Sequence, residues 1–419
     1  MDIFEKYGIP QPDFGESTEI FNDGSGLADD MLCDKSEPCT LAIIRNTAQE
    51  EFISYCEKIE SAGCEAGFKN ETQSVISREF YCKGVILYAY YTFTDRTARF
   101  VFDSASCRIG EFQSNSGDEK FGETCLMQYG LTYGKMIRGV TADCGMNYVI
   151  RLHDGRFIVT DGGESEQSTD EAIEDFSLRL EELTGGKKIT IALWFCTHAH
   201  NDHIDFFLKY LRLHREDVTL ERVMFNFPAA EYISLMASTT MMRERIKAYY
   251  PGVLFLKPHT GEKFNIGSCG VEILLTHEDM IPMSDEKMYR GMNETSTVAK
   301  FSFDGKSLLI LADIPDPNGI KLTKVYEKEP LSCTYIQAAH HMINRVEEVY
   351  RNTSADTVLI PRWDKTLEGE NYEVLCKYYD SEKFIAAGAG TVEIFIKDGK
   401  ETGIKKYPPF IKEYDNSGI

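Results

Sequence analysis

Two common protein features, a disulfide scaffold and an export or membrane signal, have no signature in this sequence of 419 residues. Its twelve cysteines are irregularly spaced and form no CxxC pair, which disfavours a disulfide scaffold and favours mostly reduced, buried thiols. The first residues lack a basic stretch followed by an apolar one, and no charge-free run is long enough to span a membrane. We therefore expect a soluble, cytoplasmic protein with no membrane partner.

Positive charge is also scarce. Lys and Arg number 45 against 67 Asp and Glu, which gives a formal net charge of −22 and a pI near 4.9. A surface of this kind repels phosphate backbones and anionic lipid headgroups, so the charge disfavours a nucleic-acid partner. A small-molecule substrate is the expected partner.

Length and pattern predict the organisation of the chain. A hydrophobic content of 42% can supply a large core, and 419 residues are enough for two domains. Four kinds of segment follow one another along the chain: polar turn residues, a helix with a strand meander, a polar linker, and strands that alternate with helices. The expected units are a loop-rich arm (1–40), a small N-terminal α+β domain (41–110), a larger α/β domain (125–407) and a tail (408–419). The small domain has no ligand cluster, so we expect an accessory role such as capping the site or self-association into a homo-oligomer.

The most informative segment is the run from His198 to His203. Three of the nine histidines of the chain lie within these six residues, directly after an apolar strand. His198 and His200 can point to one side, while Asp202 and His203 at the start of the next helix can turn toward a neighbouring position. Imidazole and carboxylate groups in this pattern are typical metal ligands, whereas the alternative is a solvated histidine-rich loop.

The segment Thr197-His198-Ala199-His200-Asn201-Asp202-His203 resembles the THxHxDH signature of the metallo-β-lactamase superfamily, and the resemblance covers roughly Cys125 to Tyr407. The branch related to the DNA-uptake competence hydrolases is the one it approaches most. The resemblance implies a four-layer αββα sandwich, to which the N-terminal α+β domain is added. It also implies an active site that contains two metal ions.

Further site residues are implied by the same resemblance. Asp161, in a D-G-G turn after a strand, corresponds to the Asp that supports the metal site, although such a turn is also common as plain structure. Asp313 corresponds to the carboxylate that bridges both metals, since its two oxygens can each bind one cation. Its alternative interpretation is a turn residue before Pro315.

The remaining ligands are open to more than one assignment. His340 is preferred as the last ligand, with His341 behind the direct ligands or facing the substrate, but the roles of the two can be reversed. Met342 stands where that branch usually has Gly. His277 is the choice for the third histidine of the first metal, with His259 as competitor. In the competence-related branch this ligand can be missing, with a polar residue such as Asn293 or Ser296 near the site, and a single-metal site is then an alternative.

The expected function is that of a metal-dependent hydrolase with metal-bound hydroxide as nucleophile and Asp202 as the residue that orients it. Zn²⁺, as two ions, suits the imidazole-rich ligand set, with Mn²⁺ or Fe as alternatives. The expected substrate is a small-molecule ester, lactone, amide or phosphoester. The alternatives are a phosphodiesterase or nuclease, which would need a basic track, and a redox or sensor protein that binds metal without hydrolysis.

Overall fold

The structure is a computed structural model that describes residues 3–16, 19–23, 39–118, 120–131, 135–137, 140–142, 145–228, 242–281, 291–363 and 367–409. The helices in this part of the chain are α1 (Ile3–Lys6), α2 (Gln49–Ser61), α3 (Ile109–Phe112), α4 (Asp170–Thr184), α5 (Asn201–Leu213), α6 (Met242–Tyr249), α7 (Asp316–Val325), α8 (Lys328–Leu331), α9 (Glu347–Arg351) and α10 (Glu370–Tyr378). The first twelve strands are β1 (Glu19–Asp23), β2 (Cys39–Ile44), β3 (Glu65–Glu71), β4 (Val75–Cys82), β5 (Val85–Thr92), β6 (Thr97–Asp103), β7 (Thr124–Gln128), β8 (Lys135–Ile137), β9 (Val140–Ala142), β10 (Asn147–Arg151), β11 (Phe157–Asp161) and β12 (Thr190–Cys196). The later strands are β13 (Thr219–Leu220), β14 (Arg222–Phe225), β15 (Leu254–Leu256), β16 (Lys263–Ile266), β17 (Cys269–Leu275), β18 (Val298–Phe303), β19 (Lys306–Ile310), β20 (Tyr335–Gln337), β21 (Thr357–Ile360), β22 (Phe384–Ala386), β23 (Thr391–Lys397) and β24 (Lys400–Tyr407).

The N-terminal part forms an antiparallel sheet with the strand order β1-β2-β6-β5-β4-β3. Helix α2 covers one face of this sheet, because Phe52, Cys56 and Ile59 recur at helical spacing and are buried against it. The other face joins the hydrophobic core of the larger unit through residues such as Tyr88 and Val101. The sheet is therefore packed against the rest of the protein.

The described part of residues 1–40, for which a loop-rich arm is predicted, contains helix α1 and strand β1. Strand β1 pairs with β2 at the edge of the N-terminal sheet, and Phe4 and Ile9 are buried in its core. These elements are short and lie between polar segments, so the sequence does not indicate them. An edge strand such as β1 becomes ordered by pairing with one neighbouring strand.

The larger unit contains two sheets. In the first, the strand order is β15-β14-β12-β11-β10-β7-β23-β24, with β13 also paired to β12; in the second it is β16-β17-β18-β19-β20-β21-β22. One continuous hydrophobic core contains residues of both sheets, among them Phe195 of the first and Phe301 of the second, whose rings lie 6.0 Å apart. The two sheets therefore pack face to face.

Helices cover both outer faces of this sandwich. On the first sheet, α4 and α5 bury Phe176 and Phe207 against strand residues such as Trp194. On the second sheet, α7, α9 and α10 contribute Leu322, Val349 and Leu375, which belong to the same continuous core. The expected four-layer αββα sandwich with a small N-terminal α+β unit is confirmed.

The cysteines depart from the expectation at one place. Cys64 and Cys82 form a disulfide between the start of β3 and the end of β4. Eight other cysteines are free thiols, and Cys33 and Cys144 lie outside the described residues. Irregular spacing along the chain did not reveal that two neighbouring antiparallel strands bring this pair together. Within the described part of the chain, no helix combines the length and apolarity that crossing a bilayer requires.

Candidate metal centre

The candidate site lies where strands of both sheets end. Strand β12 is buried throughout its second half and ends at Cys196, so that the histidine run begins directly at the carboxyl edge of the first sheet. Asp161 ends β11, which runs parallel to β12. Asp313 and His341 follow β19 and β20, which are parallel neighbours in the second sheet. Parallel strands of one sheet end at the same edge. These side chains therefore lie close together, although Asp161 and His341 are about 180 positions apart in the sequence.

Asp161 holds the start of the histidine run in position through its carboxylate. Its carboxylate is fully buried and accepts hydrogen bonds from the Thr197 amide at 2.8 Å and the Thr197 hydroxyl at 2.8 Å, and lies 2.7 Å from His203 Nδ1. The D-G-G turn is required by packing, because a Cβ on Gly162 would stand 2.2 Å from the Cβ of Phe207 on α5. The close packing of this turn against α5 thereby fixes the position of the Asp161 carboxylate relative to the helix.

The first group of converging ligand atoms consists of His198, His200 and Asp313. His198 Nε2 lies 2.9 Å from His200 Nδ1 and 3.7 Å from an oxygen of Asp313. The other ring nitrogen of His198 lies 3.1 Å from the hydroxyl of Thr197, which itself donates to Asp161. The Thr197 oxygen therefore accepts from His198 Nδ1, and Nε2 presents its lone pair to the group.

The second group consists of Asp202, His203, His341 and again Asp313. His341 Nε2 lies 3.1 Å from His203 Nε2, 3.1 Å from Asp202 Oδ2 and 3.6 Å from Asp313 Oδ2. His203 Nε2 lies 3.3 Å from Asp313 Oδ1. Asp313 thus contributes to both groups, as a bridging carboxylate would.

Hydrogen-bond partners outside the second group assign the tautomers within it. His203 Nδ1 faces the Asp161 carboxylate, and His341 Nδ1 faces the carbonyl oxygen of Pro361 at 3.1 Å. Both outer partners are acceptors, so Nδ1 carries the hydrogen in each ring and the two Nε2 atoms of neutral rings face each other with lone pairs. Both oxygens of Asp313 are buried without a hydrogen-bond partner among the described residues. A proton or a metal cation must lie between these atoms, and the donor set fits a divalent first-row ion.

The electrostatics agree with that requirement. Burial opposes a charge on His203 and His341, but the carboxylates of Asp313 and Asp202 outweigh it and raise the pKa of both rings well above the usual value. Burial likewise opposes the charge on Asp202 and Asp313, yet the neighbouring imidazoles lower the pKa of both carboxyl groups. The second group therefore stabilises positive charge at its centre.

His198 and His200 behave differently. Burial lowers the pKa of both rings, and in His198 the neighbouring His203 lowers it further. Neutral imidazoles with available lone pairs are the form that binds metal.

Of the pair His340 and His341, the geometry groups the alternative, His341, with the other candidate ligands. His341 belongs to the second group, whereas His340 lies beside it with Nε2 3.7 Å from Asp313 and within 3.2 Å of the Asn293 amide. His340, His341 and Met342 all have positive φ, between 48° and 65°, a conformation that favours glycine. Met342 occupies the position where the resembled branch usually has Gly, and the kinked backbone directs consecutive side chains differently from a regular strand end.

His277 lies outside both ligand groups. Its Nε2 is 2.7 Å from the side-chain oxygen of Asn226, and the competing His259 pairs with Glu278 at 3.0 Å. Each ring is held by a protein partner of its own, so the choice of His277 as a ligand is not supported by its position. Asn293, named as a substitute from the branch resemblance, does reach the site through His340, and Ser296 accepts a hydrogen bond from the Asp313 amide at 3.3 Å.

Two contributors were not anticipated: the Thr197 hydroxyl and the Pro361 carbonyl, which set the tautomers of His198 and His341. Thr197 is part of the signature run and could have been found there. A backbone carbonyl carries no sequence signal, since any residue at that position would supply it.

The sequence matches no family model and no curated protein. Among solved structures, it is similar to the metallo-β-lactamase fold protein YhfI from Bacillus subtilis, at 12% identity and a TM-score of 0.38, with 64% of this chain and 98% of that chain covered. It is also similar to Tm1679, described as a metal-dependent hydrolase of the β-lactamase superfamily, at 11% identity and a TM-score of 0.37 over 65% and 98% of the two chains. A third is CmlA, a diiron β-hydroxylase from Streptomyces venezuelae, at 14% identity and a TM-score of 0.33 over 61% and 47%. The chain is thus similar to proteins of the metallo-β-lactamase fold.

Proposed function

We propose that this protein is a metal-dependent hydrolase with two divalent cations, one in each ligand group. The observation that supports this most directly is the pair of Nε2 atoms of His203 and His341, which face each other at 3.1 Å while both Nδ1 hydrogens point to acceptors outside the group. A hydrogen shared between the two rings would leave both oxygens of Asp313 without a partner among the described residues, whereas a divalent cation contacts the nitrogens and the carboxylate together. Two lone pairs directed at one point, next to two carboxylates, are a metal-binding arrangement.

The residues divide the work as follows. His198, His200 and Asp313 hold one cation, and Asp202, His203, His341 and Asp313 hold the other, with Asp161 keeping His203 in the binding tautomer. When bound, such cations bring the pKa of a water molecule into the neutral range and polarise the bond under attack. Zn²⁺ is the preferred ion because both groups are rich in imidazole, with Mn²⁺ or Fe as alternatives.

The residues that face the substrate are those of the centre that remain accessible. Asp202 keeps 20% of its side chain exposed, the neighbouring His340 keeps 22%, and His200 is half-buried, whereas His198, His203, Asp313 and His341 are buried. Asp202 is thus placed to accept a hydrogen bond from the attacking water and to orient it. The amide of Asn293, next to His340, can donate to an oxygen of the substrate.

The proposed substrate is a small-molecule ester, lactone, amide or phosphoester. The formal charge of −22 supports a small molecule over a nucleic acid. Among the described residues of the two groups, only Asp202 and His200 are partly exposed, and this narrow access also favours a compact reacting group.

Metal analysis and hydrolysis assays on matched variants test this function. We expect protein purified without chelator to contain two equivalents of metal, His341→Ala to lose about one, and His200→Ala to weaken the other. His214→Ala is the matched control, because this ring lies at the end of α5 and stacks on Tyr210 without belonging to either group. Each preparation is then assayed on chromogenic esters, lactones and phosphoesters with added Zn²⁺ or Mn²⁺. Unchanged metal content and activity in His200→Ala and His341→Ala would contradict the proposal.

A further inference from the structure

A cavity of about 360 Å³ lies along α5, the helix that begins at the metal centre. Its wall includes Asp205, Leu208, Lys209 and Arg212 of this helix, together with Arg245 and Tyr249 of α6. Asp202 and Lys209 are seven residues apart, which places them on the same side of the helix about 10 Å from one another along its axis. The cavity thus continues the helix face that starts at the metal ligand Asp202.

The charge of this wall is opposite to that of the protein. Three cationic side chains, Lys209, Arg212 and Arg245, line it together with the carboxylate of Asp205. The exposed Asp170 carboxylate near Lys209 still leaves a net positive charge here, in a chain with a formal net charge of −22. Cations gathered in a concave surface raise the local concentration of anions more strongly than the same charges on a convex surface.

The side chains of the wall are also positioned to bind. Lys209 is anchored, because its ammonium group donates to the Ser168 carbonyl and lies 3.6 Å from the exposed Asp170 carboxylate. Among the residues that the structure describes, none accepts a hydrogen bond from the guanidinium of Arg212, which is exposed. The guanidinium group presents donors in a fork that matches a phosphate, and Lys adds a point charge.

An apolar part of the wall lies beside these charges. Leu208 and Tyr249 are both half-buried and line the same cavity. A ligand with an anionic group and an organic body would place the first against the cations and the second against these side chains.

We propose that this cavity binds the dianionic group, phosphate-like in charge and shape, of a small organic molecule, and that this molecule is the substrate of the metal centre. The second half of the proposal rests on the proposed hydrolase function. The substrate class narrows accordingly to a phosphorylated small molecule whose reacting bond lies at the metal centre and whose phosphate lies about two helical turns away.

Calorimetric titration with phenylphosphonate tests the binding step without any turnover, because its carbon–phosphorus bond is not a hydrolysable ester. We expect saturable binding to the wild-type protein, weaker by about tenfold in the double variant Arg212→Gln/Arg245→Gln, and much weaker for the monoanion benzenesulfonate. Arg215→Gln is the matched control, since Arg215 is an exposed arginine just beyond α5 that pairs with Glu216 and does not line the cavity. His203→Ala should bind phenylphosphonate as the wild type does.

Three results would overturn the assignment of the cavity. They are no binding to the wild-type protein, equal loss in Arg215→Gln and in the double variant, or binding that His203→Ala abolishes and the double variant retains. The last would place the anion at the metal centre.

The link to the substrate has its own readout. Where a phosphorylated substrate is turned over, the double variant should raise KM by about tenfold with little change in kcat, and phenylphosphonate should inhibit competitively. Non-competitive inhibition would overturn the substrate assignment. If phenylphosphonate binds to the cavity but the purified protein contains no metal, the proposed function is refuted and the assignment of the cavity stands.

Discussion

Two buried clusters of histidine and carboxylate occupy this protein, and only one of them resembles a metal centre. In the metal centre, ring nitrogens of His203 and His341 face each other and Asp313 has no hydrogen-bond donor among the described residues. In the second cluster, which we call the interface cluster (Arg99, Asn226, His259, His277 and Glu278), each ring has a complementary partner. Both clusters contain imidazole and carboxylate groups, so the partners of these groups and the direction of their lone pairs distinguish a metal centre from a structural network.

The interface cluster connects the N-terminal sheet with the sandwich. Arg99, fully buried on β6, donates to the backbone carbonyl of Glu278 at 3.2 Å and lies 3.8 Å from the Asp279 carboxylate. The ring of His259 stacks on Tyr88 of β5 with centroids 4.9 Å apart. Its charges are therefore compensated within the protein, and it should contribute to stability and not to metal binding.

The largest expected effect is that of removing the charge shared by both metal groups. We expect Asp313→Asn to lose most of its metal and to lower kcat/KM by about a thousandfold, since one carboxylate serves both groups. Inductively coupled plasma mass spectrometry and the hydrolysis assay measure this. Asp316→Asn, an exposed carboxylate three residues further on, is the control. Equal metal content in both variants would remove the distinction between the two clusters.

Breaking the interface cluster should destabilise the fold and leave the metal in place. Arg99→Met leaves the buried Asp279 carboxylate without its cation, which we expect to cost about 3–5 kcal/mol in the free energy of unfolding. Denaturant titration measures the loss, with the exposed Arg96→Met as control. Loss of metal from folded Arg99→Met protein would show that the two clusters are coupled.

The same cluster extends to Asp95, whose pKa predicts a dependence on pH. Burial raises the pKa of Asp95, but Arg99 and Lys321 together lower it from 3.8 to about 2. A lowered carboxyl pKa gives stability that is present above the unfolded value of 3.8 and is lost as the pH falls toward 2. Asp95→Asn should thus lose about 2 kcal/mol at neutral pH, and its difference from the wild type should shrink as the pH falls below about 4. A difference that does not change with pH would indicate a steric cause.

The smallest expected effect separates His277 from the metal ligands. His277→Ala leaves the Asn226 side-chain oxygen without its 2.7 Å partner, which should cost about 1–2 kcal/mol. Metal content and activity should stay unchanged, in contrast to His341→Ala. If metal is lost from His277→Ala, His277 is a ligand as the family resemblance implies, and the first group is not limited to His198, His200 and Asp313.

Several parts of the fold could be predicted because their pattern is local. Helix α2 and the meander of β4, β5 and β6 follow from helical spacing, apolar runs and turn residues within one segment, and the start of α5 follows from its position after the histidine run. The strands β1, β2 and β3 were missed, since they are short or polar and become ordered through pairing with strands that are distant in sequence. The Cys64–Cys82 disulfide was missed for the same reason.

The candidate site shows the same difference between what a local pattern indicates and what distant contacts decide. Six consecutive residues indicated that His198 and His200 could point to one position, and Asp202 and His203 to a neighbouring one, and the structure places the two pairs in two adjacent groups. The metallo-β-lactamase fold suggested by the run is also the fold of the similar solved structures. The metals and the substrate remain predictions, as does the placement near the competence-hydrolase branch.

By itself, the sequence determined the chain's periodic elements and the compact run of candidate ligands, because neighbouring residues and their spacing control both. Only the tertiary structure decided that His341 belongs to a group of converging ligand atoms, while His340 lies next to Asn293 and His277 pairs with Asn226. The reason is physical: which nitrogen of a histidine is left with a lone pair depends on the acceptor behind the ring. Those acceptors, the Asp161 carboxylate and the Pro361 carbonyl, come from strands and loops that only folding brings into contact.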